Sequence, residues 1–246
     1  MYELCYARSH DPRGPFTYGG VIISNNDLGI SHDKPADLPR YFGGNNHGGI
    51  EEINGQWYIF YHRHTHGTNY SRQAMAEKIE ILDNGDIPQV EMSSCGLNGG
   101  PLEAKGTFPA SICSALFTDV PNEYTGGMGR NGYWLDASYP IIIQDEMDGE
   151  DARQYIFNMT NSSTAGYKYF NFNNVEEVSL VYRAYCNGVF EFMTDPEGPL
   201  LGTVEVSSMN RWAKTSCKIN LPEGVHPFYI RYKGTGAPTL LEFSFA

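Results

Sequence analysis

No hydrophobic run in this sequence approaches the ~20 residues that a membrane-spanning helix needs. No cleavable leader follows Met1, because Tyr2-Glu3-Leu4-Cys5 already reads as a strand interior. The compartment is therefore left unassigned. Cysteine is sparse and scattered: Cys5, Cys95, Cys113, Cys186 and Cys217 include no Cys-x-x-Cys pair and no metal-site spacing. Such a set reads as reduced thiols, not as a disulfide framework. Positive charge is also short, with 17 Lys and Arg against 29 Asp and Glu and a net charge of -12. A surface of that sign repels phosphates, which argues against nucleic acid or an anionic membrane as partner. A neutral polysaccharide is not repelled. Helical periodicity is missing too, and no helix of any length is expected.

What is present suits an all-β protein. Gly (27) and Pro (14) supply turns, and 17 Tyr supply half-buried strand faces and surfaces on which sugar rings can stack. Strands are expected over residues 2–8, 16–24, 48–53, 56–62, 71–82 and 87–92. Asn54-Gly55 between two of these runs is the strongest hairpin signal, since both turn positions need positive φ. The last four runs, about 45 residues, have the size of one four-stranded propeller blade. The first two fit the outer half of the blade before it. Residues 93–136, rich in Gly, Asn and Pro, read as a connection, with 107–117 as the first strand of the next region. That second all-β region begins in earnest near Tyr139. Its strands are expected at 154–159, 168–172, 177–185, 189–194, 202–206, 213–219, 226–232 and 240–245, the spacing of a sandwich or jelly roll.

The run Gly43 to Arg63, with its polar approach to a strand, His47 at the strand's mouth and the Asn54-Gly55 turn, resembles the last propeller blade of glycoside hydrolase family 43. The second region resembles a family 6-type carbohydrate-binding module through Ala165 to Phe170, Asp195 to Thr203, Trp212, Leu221 to His226 and Tyr232 to Gly236. The two resemblances imply the last one and a half blades of a five-bladed propeller over residues 1–105. A linker and a jelly-roll carbohydrate-binding module then fill 106–246. They imply the C-terminal portion of an α-L-arabinofuranosidase or β-xylosidase acting on plant hemicellulose, whose N-terminal part this chain lacks. In that family a Glu and two Asp carry out an inverting hydrolysis from blades absent here, so this chain alone is expected to be inactive. Its own Asp33, Asp37, Glu51, Glu52, Glu77 and Glu80 read as structural or exposed carboxylates. Two other readings stay open: a non-catalytic carbohydrate-binding protein, and an inactive remnant of a truncated gene.

By the same resemblance, His47 faces the propeller channel, where it meets substrate or a divalent cation such as calcium. Arg72 reaches the sugar in the terminal subsite. His62, His64 and His66 alternate along one strand but lack the further ligands of a metal site. In the module, Tyr167 and Trp212 match the neighbourhood of the paired aromatics that hold a sugar. Thr239 stands where the family often has a ligand-binding Asn, and Leu241 or Glu242 where it has an Asp tied to calcium. The expected partner is a hemicellulose-type polysaccharide or oligosaccharide.

Overall fold

The computed structural model describes residues 3–34, 46–65, 72–119, 139–145 and 152–246. Apart from three short 3-10 turns, every regular element among them is a β-strand. β1 (Glu3–Arg8) and β2 (Thr17–Ser24) form an antiparallel pair. β3 (Gly48–Ile53), β4 (Gln56–His64) and β5 (Arg72–Lys78) form an antiparallel three-stranded sheet. Ile53 pairs with Gln56 across a two-residue loop in which Asn54 and Gly55 take φ of 52° and 81°. That is the turn an Asn-Gly pair favours, because its twist matches that of the flanking strands.

The fourth strand expected at 87–92 does not join this sheet. β5 ends at Lys78, and Val90 instead forms a parallel bridge to Ile23, its N–H donating to Ile22 O at 2.8 Å. Pro88 has no N–H to offer a ladder, and the residues after it turn toward the second half of the chain.

That half is one curled ten-stranded sheet. Its strands are β6 (Leu102–Glu103), β7 (Gly106–Pro109), β8 (Ala115–Phe117), β9 (Ile141–Gln144), β10 (Gln154–Phe157), β11 (Thr164–Phe172), β12 (Glu177–Met193), β13 (Gly202–Lys218), β14 (Gly224–Gly236) and β15 (Thr239–Phe245). The main path runs β6-β11-β14-β12-β15-β10-β9, with β13 on β12, β7 on β15 and β8 on β11. Strand breaks expected within 177–194 and 202–219 are absent. β12 and β13 are each 17 residues long and stay paired through register shifts between Tyr182 and Asn187. The first half of β12 pairs with β15 and the second half with β14, so one bent strand serves both layers of the sandwich. Rings from the two layers then meet inside: Phe228 lies 5.0 Å from Phe245, and Phe170 5.1 Å from Phe245. These edge-on aromatic contacts fill the core.

The stretch read as a connection is built into this sheet. β6 runs parallel to β11, with Leu102 opposite Phe170, while β7 pairs with β15 and β8 with β11. Cys113, Ala115 and Leu116 are buried. The blade segment shares one hydrophobic core with the sandwich, since Ile23, Ile59, Tyr61 and Ile79 belong to the same buried cluster as Leu116, Tyr167 and Phe170. Polar groups cross the junction as well. Arg63, fully buried, donates to Ser111 O (2.7 Å), to Cys113 O and to Gln73 Oε1 (2.7 Å). Gln73 in turn donates to Gln154 Oε1 (3.0 Å), and Ile142 N–H to Thr65 O (2.9 Å).

A buried ion network completes the join. Lys168 Nζ lies 2.5 Å from Asp27 and 2.7 Å from Glu91, and Lys34 Nζ lies 3.0 and 3.1 Å from the same two carboxylates. Tyr169 donates to Glu91 at 2.5 Å. Burial works against charge on Glu91, but Lys168 and the hydrogen bonds outweigh it and hold the carboxyl at about 2. Burial likewise opposes charge on Lys168, and Asp27 and Glu91 outweigh it, so the ammonium is held well above its ordinary range.

Candidate carbohydrate sites on the blade and the sandwich

The three-stranded sheet gathers several polar side chains at one end. His47 precedes β3, His64 ends β4 and Arg72 opens β5 directly opposite His64. Gly48 makes the first of these placements workable. A Cβ there would lie 2.0 Å from Phe60 O, so only a glycine lets β3 approach β4 so closely. His47 is exposed and stacks on His62, centroids 5.2 Å apart at 29°. His62 neighbours His64 at 5.8 Å, and its carbonyl accepts a hydrogen bond from Asn25 Nδ2 at 3.3 Å. Arg72 is exposed and His64 is buried. Both residues expected to meet substrate therefore share an end of this sheet, while His66 lies outside the described residues.

This row does not make a cation site by itself. Its rings are spaced as neighbours in a stack, and among the described residues no group of three or more His, Cys, Asp or Glu could hold a metal ion. Among the carboxylates weighed in the sequence, Glu77 is strongly perturbed. Burial drives its carboxyl up to about 7, against the pull of three donors: Ser93 Oγ at 2.5 Å, Ser93 N–H at 2.8 Å and Tyr61 OH at 3.0 Å. Enclosed and fully engaged, it is a structural carboxylate. Asp33, Glu51, Glu52 and Glu80 are exposed, and Asp37 lies outside the described residues.

On the sandwich the expected aromatic pair is separated. Tyr167, on β11, is fully buried; its ring lies 4.5 Å from Phe243 and its hydroxyl donates to Ala110 O at 3.0 Å. Its place is in the core, where no ring face is open to a sugar. Trp212, on β13, is half-buried and meets Tyr155 edge-on at 5.6 Å and 69°. The Arg183 guanidinium lies 4.5 Å from the Trp212 centroid and 5.7 Å from that of Tyr155. Thr239 pairs with Arg183 across the β12–β15 ladder, which puts it beside this group. Sequence reasoning missed Tyr155 and Arg183. Their signals were weak ones: alternation in the short strand around Tyr155, and an outward-facing position next to the buried Tyr182.

Residues 124–245 match the family model of the carbohydrate binding module (family 6). Over this span the chain resembles a family 6 carbohydrate-binding module. The sheet around that module begins upstream of the matched residues, because β6, β7 and β8 belong to it. A xylosidase/arabinosidase of Thermoclostridium stercorarium is 49% identical over 244 residues, which is 99% of this chain and 51% of that protein. An arabinoxylan arabinofuranohydrolase of Paenibacillus polymyxa is 27% identical over 260 residues, 97% of this chain and 35% of that protein. Among solved structures, a glycoside hydrolase family 43 arabinoxylan arabinofuranohydrolase from Bacillus subtilis, in complex with cellotetraose, aligns with a TM-score of 0.53. It is 18% identical, and the match covers 100% of this chain and 47% of that one. The fold is thus a partial family 43-type propeller followed by the module. The chain spans about half the length of the first of these relatives and about a third of the second.

Proposed function

We propose that this sequence forms the C-terminal part of a glycosidase acting on plant hemicellulose, of the α-L-arabinofuranosidase or β-xylosidase type. Its own role is to hold carbohydrate. The observation that carries this reading is the 49% identity, over 99% of the chain, to a protein named as a xylosidase/arabinosidase. The shared core and the buried Arg63 agree with it, because a module fixed so firmly keeps its bound sugar at a constant position relative to the blade.

In the complete parent the hydrolysis inverts configuration. One carboxylic acid protonates the leaving oxygen while a carboxylate, about 6.5–9.5 Å away, activates water on the opposite face. Those groups come from the part of the parent outside this chain. His47 and Arg72 meet the sugar at the substrate end, where a planar guanidinium suits vicinal hydroxyls. His47 would be the residue of this chain to hold a divalent cation such as calcium in the propeller channel, where the ion would supply positive charge at the substrate end.

In a parent enzyme carrying these residues, His47→Ala and Arg72→Ala are each expected to lower kcat/KM at least tenfold, about 1.4 kcal/mol of transition-state stabilisation, with little change in Tm. The present chain alone is expected to bind xylan and to release no nitrophenol from aryl arabinofuranosides or xylosides. Release that disappears when one of this chain's own carboxylates is substituted would overturn the division of labour.

A further inference from the structure

Arg183 stands out among the charged groups of the module. It is only partly exposed, its guanidinium lies over Trp212 and close to Tyr155, and that side chain makes no hydrogen bond or ion pair among the described residues. Other shielded guanidinium groups of this chain are engaged: Arg231 pairs with Glu191 at 2.7 Å, and Arg63 donates to three acceptors. A guanidinium held against an aromatic face keeps its N–H donors and its charge while losing part of its hydration. The natural complement of such a group is a planar carboxylate, which it grips through two parallel hydrogen bonds.

We infer that the Trp212 site takes an acidic saccharide, a pentose oligosaccharide bearing a uronic acid, with Arg183 as the specificity-determining contact to the carboxylate. This deepens the proposed function and rests on its carbohydrate-binding reading. A neutral pyranose has to share the Trp212 ring with the guanidinium, and Thr239, the neighbour of Arg183 on the adjacent strand, is buried. An acidic sugar uses the guanidinium as its partner. The net charge of -12 makes the local cation more necessary, since the rest of the surface repels an anionic chain.

The test is calorimetric titration of the full chain with xylotetraose and with xylotetraose carrying one glucuronic acid branch. The acidic ligand is expected to bind at least tenfold tighter at low salt, with the ratio shrinking in about 0.5 M NaCl as screening grows. Arg183→Gln should bring the ratio of the two affinities close to one, and Arg183→Lys should leave it between wild type and Arg183→Gln. Trp212→Ala should weaken both ligands. Equal affinities for the wild type, or a preference that survives Arg183→Gln in a variant shown to be folded by its unchanged Tm, overturn the inference and leave carbohydrate binding standing. Failure of both ligands to bind overturns the carbohydrate reading and this inference with it.

Discussion

Replacing Lys168 by Ala tests whether the blade and the module are one folding unit. The side chain is 3% exposed and bridges Asp27, itself 1% exposed, and Glu91. Removing it strands two carboxylates from a different part of the chain, and breaking a buried pair this way typically costs about 3–5 kcal/mol. Lys34 remains 3.0 Å from Asp27 and 3.1 Å from Glu91, so it compensates in part and the expected loss is near the lower end. With a chain of 246 residues, each kcal/mol shifts Tm by about 2–4 °C, which makes the expected drop roughly 6–12 °C. Calorimetry of the wild type should show one transition, because the blade's core residues pack in the same cluster as those of the sandwich. Lys233→Ala is the control: its partner Asp119 lies 3.7 Å away on the surface, and such pairs contribute about 0–1 kcal/mol. A Lys168→Ala loss no larger than the control's, or a separate early transition for the blade in the wild type, would refute the reasoning.

Two carboxylates, Glu77 buried and Glu91 half-buried, give stability a pH dependence of opposite signs. Glu77, raised to about 7 when folded, keeps its proton where the unfolded chain has lost it, so its contribution to stability falls as pH rises from about 4.5 to 7, by about 3 kcal/mol. Glu91, held at about 2, contributes stability that is present above about 4.5 and lost as pH falls toward 2. Tm measured across the acidic and neutral range should therefore peak near about pH 5, and Glu77→Gln should flatten the alkaline side; an unchanged profile in that variant would place the titration elsewhere. Gly48→Ala should cost about 1–3 kcal/mol, because its Cβ meets Phe60 O at 2.0 Å, whereas Gly49→Ala, with nothing within 4 Å, should stay within about 0.5 kcal/mol. Equal effects of the two substitutions in a denaturant titration would show that the close approach of β3 to β4 is not what requires glycine.

Local chemistry was legible in the sequence wherever neighbours along the chain decide the structure. Asn54-Gly55 fixed a hairpin because positive φ is a property of those two residues. The regular spacing of turns in the second half marked out a sandwich, and the paired runs around Gly43 to Arg63 marked a blade. The sequence did not reveal which faces would be covered. Nothing local to Lys168 marks it for burial; the blade closes over it and supplies Asp27 and Glu91. For the same reason Tyr167, a natural candidate for a sugar platform, faces the core, while Trp212 finds Tyr155 and Arg183 from two other strands. The segment at 87–92 has a strand's composition, yet its pairing was settled by β2, far away in sequence. Secondary structure and turns thus come from short-range sterics and patterning. Burial of charge, partners of aromatics and the merging of two regions into one core depend on long-range packing, which tertiary structure alone decides.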